Sequence, residues 1–475
     1  MMKLTSKLNE NIKILNQRLP LEKSFDIVGR KWSIAGINAY FVLIDGFTKD
    51  QIMLYIMEKL QSIKKENINI NTIKKLLQNY IAYIEIDTFD DFDTMETAVL
   101  SGNTALFIDG QNEGILIDVR EYPVRGPEEP DLEKVTRGSR DGLVETIVFN
   151  TSLIRRRIKD PKLTFELTNV GTQSKTDVAI AYIDSVVDHD LLKKLKNKLD
   201  EIEINSLVMA EKTLEELLIK KKWYNPLPQV RFTERPDVVA AHLLEGHIAI
   251  IVDTSPSVIL LPVTLFHFTQ HAEDYYQNPM VGTYLRWIRF IAMFSSLIIT
   301  PLWLLLIYNK GLLPDYLKFI GPKEVGHIPL FMQFVILEFG LDFLRVASIH
   351  TPNTLSTSLG IIGGLILSEF AVKVGWFTPE TILYMAVAGI GTFATPSMEF
   401  SMAIRIFRLF LLLMTGFFKS IGFFIGLSVI LIIVFTTKGF SNQSYLWPLF
   451  PFNGKAFSNI FFRKPIVEIK NNKKS

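Results

Sequence analysis

Residues 290–308 read FIAMFSSLIITPLWLLLIY, an uninterrupted apolar run without a single charge. A helix needs about 20 such residues to cross a hydrocarbon core of ~30 Å, so this stretch is long enough to span a membrane. Arg286 and Arg289 stand directly before it, with Trp287 between them, a residue type that favours the membrane–water interface. Basic residues at one end of a span mark its cytoplasmic side, which predicts a cytoplasmic location for everything N-terminal to the run.

Working outward, the composition changes at this point. The chain has 475 residues, 48% hydrophobic and 21% charged, with a mean hydropathy of +0.23, above what an all-soluble protein of this size shows. Charges are dense up to about Arg286 and sparse from Phe290 to Thr437. Further candidate spans are residues 346–368, 381–398 and 409–437, the last interrupted only by Lys419 and long enough for two crossings. The tail carries Lys455, Arg463, Lys464, Lys470, Lys473 and Lys474, which places it on the same side as the head. Both ends inside require an even number of crossings, four or six.

The N-terminal half alternates strand and helix patterns. Residues 37–44 (INAYFVLI) and 81–86 read as strands with a helix over 50–64 between them. Residues 104–108 and 114–119 form a hairpin pattern through Asp109-Gly110, and 247–252 and 258–262 form another. The expected fold class is an α/β N-terminal region of two subdomains followed by an all-α transmembrane bundle. The expected segments are 1–95, the first α/β subdomain; 96–285, the second; 286–438, the membrane domain; and 439–475, a basic cytosolic tail.

Net charge is +2 and cysteine is absent. The first gives no reason to expect nucleic acid, since a basic stripe with aromatic platforms is missing. The second excludes disulfides, zinc–thiolate sites and thiol nucleophiles. No P-loop, H-E-x-x-H or G-x-S-x-G is present, so no enzyme activity, catalytic residue, cofactor or metal is expected. GIGTFA at 389–394 mimics a dinucleotide fingerprint but lies in an apolar segment, where glycines serve helix packing. His267 and His271 have metal-ligand spacing for a helix, although QHAEDYY reads better as the polar lead-in to the first span.

Two constellations carry chemistry. In HIPLFMQFVILEFGLDFLR (327–345), Glu338, Asp342 and Arg345 share one helix face. Ionisable groups at membrane depth face a protein interior or a water-filled cavity, so this stripe either lines an ion path or sits on an interfacial helix among headgroups. Glu369 with Lys373, and Glu399 with Arg405 and Arg408, pose the same choice near expected helix ends. In the head, RGSRDGLVETIVFNTSLIRRRIKDP (137–161) predicts a helix capped by Ser139 or Asp141 and running to Lys159. Arg155, Arg156 and Arg157 crowd its last turns as candidate interdomain or anionic-partner contacts.

That block, LLEGHIAIIVDTSPSVILLP with EDYY before the first span, and LEFGLDFLRVASIHTP, GIIGGLILSEFAVKVGWFTPE and IGTFATP further on resemble the A-subunit (GerA) family of bacterial spore germination receptors. The resemblance extends over roughly residues 24–465. It implies residence in the spore inner membrane, a transporter-like B-type membrane subunit as partner, membrane lipids, and homo-oligomers that form or gate a path for monovalent cations. A non-conducting scaffold or signal-transducing subunit is the alternative, and a lipid-acting membrane enzyme or flippase a third.

Overall fold

The computed structural model describes residues 2–68, 72–81, 83–121, 133–220, 222–312, 315–323, 326–350, 371–441 and 443–465. It divides into two units. One comprises Met1–Lys220 and Phe232–Pro262, the other Lys221–Arg231 and Val263–Ser475.

The first unit holds two five-stranded sheets. Strands β1 (Ile27–Ile34), β2 (Ile37–Ile44), β3 (Ile86–Phe89), β4 (Thr104–Ile108) and β5 (Gly114–Ile117) lie in the order β1-β2-β4-β5-β3. All neighbours pair antiparallel. Helices α1 (Leu8–Arg18) and α3 (Phe92–Leu100) cover one face. Helix α2 (Asp50–Gln61) covers the other with Met53, Ile56 and Leu60, its apolar i, i+3, i+7 stripe. Cover on both faces explains the nearly continuous apolar run of β2: Tyr40, Val42 and Ile44 face one layer, Ala39 and Phe41 the other.

The second sheet runs β6-β7-β9-β10-β8, from β6 (Leu163–Val170), β7 (Thr176–Ile183), β8 (Arg231–Thr233), β9 (Ile248–Val252) and β10 (Val258–Leu261). Both expected hairpins are present, β4–β5 and β9–β10. Around this sheet stand α4 (Ile147–Arg157), α5 (His189–Asp200), α6 (Ala210–Leu218) and α7 (Pro236–Leu244). Asp188 caps α5 by accepting the amides of Asp190 and Leu191.

Three expectations in this unit need correction. The strand expected at 81–86 begins only at Ile86, and a π-type helix, Leu76–Tyr80, ends just before the expected start. A division between 95 and 96 would cut the first sheet, since β4 pairs with β2 and β5 with β3. The helix expected from Ser139 starts at Ile147; Asn150 holds the preceding chain extended by accepting the Val144 amide at 2.8 Å and donating to the Val144 carbonyl at 2.6 Å.

The second unit is helical: α8 (Pro279–Tyr308), α9 (Leu330–His350), α10 (Pro379–Phe393), α11 (Met398–Thr436) and the short α12 (Gly454–Phe461). Helices α8 and α11 are each long and apolar enough to cross a membrane. Helix α11 is a hairpin. Lys419 has φ 50° and ψ −131°, and a Cβ added at Gly422 would strike the Met414 carbonyl, while one at Gly426 would meet Leu411. Residues eight and fifteen apart touch in this way only if 420–436 folds back antiparallel on 398–418. The expected segment 409–437 thus supplies a second arm and part of a first that starts eleven residues earlier. The expected span 346–368 begins inside α9, whereas 351–370, with Glu369, Gly360 and Gly364, lie outside the described residues.

Candidate functional site

The polar stripe of α9 meets the first arm of α11. Glu338 Oε2 accepts Arg408 Nη2 at 2.9 Å, and Glu338 Oε1 accepts Arg408 Nε. One helical turn along, Asp342 accepts Arg405 Nη2, and Arg345 lies beside the sulfur of Met402. Rising numbers on α9 meet falling numbers on α11, so the helices run antiparallel and the rungs form a ladder. Glu338 and Asp342, four apart, face Arg408 and Arg405, three apart, which suits neighbouring turns on both helices.

Arg408 sits midway along the arm 398–418 and is wholly buried. Its Nη1 donates to Ser296 Oγ at 2.8 Å and to the Ser296 carbonyl at 3.0 Å on α8. It also donates to Thr392 Oγ1 at 3.2 Å and the Ala388 carbonyl at 3.3 Å on α10. One guanidinium therefore joins α8, α9 and α10 to α11. A fork of five donors suits this, where an ammonium would not. Small residues make the approach possible: a Cβ at Gly391 would collide with the Ala292 carbonyl.

The two rungs differ in exposure. The side chain of Glu338 is 4% exposed, and that of Asp342 is 42%. Breaking a sealed pair leaves an unpaired buried charge, worth about 3–5 kcal/mol, whereas a half-exposed pair contributes less. The Glu338–Arg408 rung is sealed within the chain. The Asp342–Arg405 rung reaches its outer surface.

Two further knots hold the ends of the bundle. Gln333 Oε1 accepts the Thr378 amide at 2.9 Å and Thr381 Oγ1 at 2.8 Å, joining the starts of α9 and α10. Where α8 begins, buried Asp274 takes Arg289 at 2.8 and 3.0 Å and Arg286 at 3.2 Å. The two arginines before the first span are thus paired to a carboxylate. His267 and His271 do not share a helix: His267 Nδ1 accepts the Thr264 amide from a 3-10 turn, and His271 Nδ1 accepts the Glu273 amide.

The remaining candidates are local. Glu399 sits in the first turn of α11, where it accepts Ser397 Oγ at 2.9 Å and complements the helix dipole. In the head, Arg155 is fully buried and gives Asp26 two bonds, at 2.7 and 3.1 Å. It also donates to the carbonyls of Asp160 and Leu163. Arg157 reaches Ser139 Oγ at 2.7 Å and Asp141 Oδ2 at 2.8 Å, so these two residues bind the end of α4 instead of capping its start. Arg156 is exposed.

Sequence reading placed Arg405 and Arg408 near a helix end and missed their pairing. The available signal was two acids four apart in one apolar helix and two arginines three apart in another. Asp26, the partner of Arg155, has no such signal, because 129 residues separate them.

An α/β head and an apolar helical bundle clamped by internal charges, with two helices long and apolar enough to cross a membrane, define the class. The chain belongs to the family described as Bacillus/Clostridium GerA spore germination protein, whose model matches residues 13–475. Stage V sporulation protein AF of Bacillus subtilis (strain 168) is 42% identical over 463 residues, covering 97% of this chain and 94% of that protein. Spore germination protein GerLA of Bacillus cereus is 30% identical, covering 94% and 91%. The crystal structure of the N-terminal domain of the A subunit of the Bacillus megaterium spore germinant receptor GerK3 is 28% identical. It covers 55% of this chain and 96% of that one, with a TM-score of 0.43.

Proposed function

We propose that the chain is a membrane subunit of a spore germination complex, assembling into an oligomer that forms or gates a path for monovalent cations. The carrying observation is the half-exposed Asp342–Arg405 rung. A carboxylate on the outer face of a bundle at membrane depth is costly in hydrocarbon and belongs against protein or water. An oligomer whose copies share this face, with a wet path along it, satisfies that requirement. Glu338, sealed by Arg408, is a clamp in this reading and lines no path. A transporter-like B-type subunit is the expected second partner by family resemblance, and the setting is the spore inner membrane.

Both termini lie on the core side in this proposal. Among the described residues, α8, α9, α10 and the two arms of α11 are the candidate passes, and two ends on one side require an even total, four or six. The basic tail and the arginines flanking α8 favour that orientation. Segment boundaries near 286 and 438 follow from the same reading.

Reconstituted cation flux tests the proposal. Asp342→Asn changes conductance or its selectivity while the protein still assembles. An unchanged flux with Asp342→Asn, from a preparation that conducts, removes this face as the path. The sealed state of Glu338 favours a second reading, a non-conducting subunit that relays a signal to a separate channel. Absence of any flux from the purified oligomer, with germination still dependent on the chain, would establish that one.

A further inference from the structure

Residues 445–462 read YLWPLFPFNGKAFSNIFF, in which seven of eighteen residues are aromatic. They lie at the end of the bundle where α8 begins and α11 ends, and they are firmly tied there. The Leu265 amide donates to the Tyr445 carbonyl at 2.8 Å, and Tyr445 Oη donates to the Pro228 carbonyl at 2.8 Å. At the other end of the segment, Arg286 Nη1 donates to the Asn459 carbonyl at 2.8 Å. A segment held this rigidly nonetheless presents Phe450 at 62% and Phe452 at 70% exposure. Loose packing does not explain that, so these rings have an occupant outside the chain.

Both flanks of the segment say what it is. Phe450 packs on Phe435, which continues the exposed apolar side of the second α11 arm with Leu431 and Ile432. Phe461 and Phe462 pack on Trp287, on the exposed side of α8. The aromatic surface is therefore continuous with the outer faces of two helices that cross the hydrocarbon. Lys438 and Lys455 are exposed beside it. Apolar rings bordered by lysines fit the headgroup boundary of an anionic bilayer, with rings in the upper acyl region and ammonium groups at phosphate level.

We propose that residues 445–462 form an interfacial foot, embedded at the headgroup level of the leaflet that faces the start of α8, with Phe450 and Phe452 inserted among lipid chains. The proposal rests on the membrane reading of α8 and α11. The foot would fix the depth and tilt of both helices relative to the bilayer surface.

The chain contains no cysteine, so single cysteines can be introduced into the full protein and spin-labelled without background. Phe450→Cys and Phe452→Cys are compared in phosphatidylethanolamine–phosphatidylglycerol proteoliposomes with Phe424→Cys, on an exposed side of α11, and Leu54→Cys, on the exposed side of α2. Relaxation by oxygen, which concentrates in lipid, is read against relaxation by a water-soluble nickel chelate. Labels at 450 and 452 are expected to show oxygen-to-nickel ratios severalfold above that at 54 and below that at 424. Ratios equal to that at 54 would place the segment in water and overturn the proposal. So would labels shielded from both reagents, which would mean a protein partner covers it. A label at 424 that behaves like 54 would instead overturn the membrane reading itself.

Discussion

The head and the bundle each bury an arginine completely, and the surroundings of the two differ in an instructive way. Arg155 in the head and Arg408 in the bundle each grip a carboxylate with two donors, Asp26 and Glu338 respectively. In the head, the remaining donors go to the carbonyls of Asp160, in the turn before β6, and of Leu163, at the first residue of β6. In the bundle, the helix carbonyls of Ser296 and Ala388 accept at 3.0 and 3.3 Å, and the hydroxyls of Ser296 and Thr392 supply the rest at 2.8 and 3.2 Å. The mixed α/β head satisfies its buried guanidinium with a carboxylate and two backbone carbonyls outside any helix. A membrane bundle does it with small polar side chains at close helix contacts.

The sharpest way to break that comparison is Arg408→Ala. It leaves Glu338 charged and sealed among apolar helices with no water to replace the lost donors, at a cost of about 3–5 kcal/mol or more. The expected result is loss of folded protein in membranes and in thermal unfolding of the detergent-solubilised chain. Adding Glu338→Leu should recover most of the loss, since the orphaned charge is then gone. If Arg408→Ala is tolerated while Arg155→Ala is not, water reaches the bundle site and the clamp is not sealed.

Arg155→Ala should cost about 3 kcal/mol, the lower end for a broken buried pair, because water can enter the head and solvate Asp26. Amide exchange in the full chain reads it directly. The amide of Phe165, held by Ser24 Oγ at 2.9 Å, should exchange faster, while the bundle should not change. A change spread equally through both units would contradict the local role.

Gly422→Ala tests the hairpin. The added methyl meets the Met414 carbonyl, and overpacking at such a contact costs roughly 1–3 kcal/mol. A cross-link between cysteines placed at 411 and 426 should form in the parent chain and weaken in this variant. If that cross-link never forms in the parent, α11 is one long helix, with one candidate pass in place of two.

How much of this could be read from the sequence differs between the two units. The head's hairpins were legible because Asp109-Gly110 and Asp253-Thr-Ser-Pro-Ser are local turn signals. The pairing of β4 with β2 was not, since antiparallel neighbours sixty residues apart carry no marker, and the division placed at 95/96 cut through their sheet. In the bundle, apolar length revealed the helices, and Glu338 and Asp342 stood out as charges in an apolar run. Their partners were misjudged because Arg405 and Arg408 precede the long uncharged run from Leu409, so they looked like its flank. The helix begins at Met398, which puts Arg408 a further ~15 Å in at 1.5 Å per residue. Helix-end placement is the weakest inference from hydropathy, and here it decided the site.

The smallest expected effect belongs to Arg157, which the sequence grouped with Arg155. It binds Ser139 and a half-exposed Asp141, whose side chain is 49% accessible. Solvent screens that pair, and ordering two side chains offsets much of what remains, so Arg157→Ala should change head stability by about 0–1 kcal/mol. Two arginines only two positions apart in one helix would then differ severalfold in cost, measured by the same exchange experiment. The difference arises from helix geometry: neighbouring residues point about 100° apart, so one cation of the RRR run turns inward to Asp26 while the next-but-one lies along the surface. An Arg157→Ala effect as large as that of Arg155→Ala would mean that the run acts as one charged patch, with a partner bound across it.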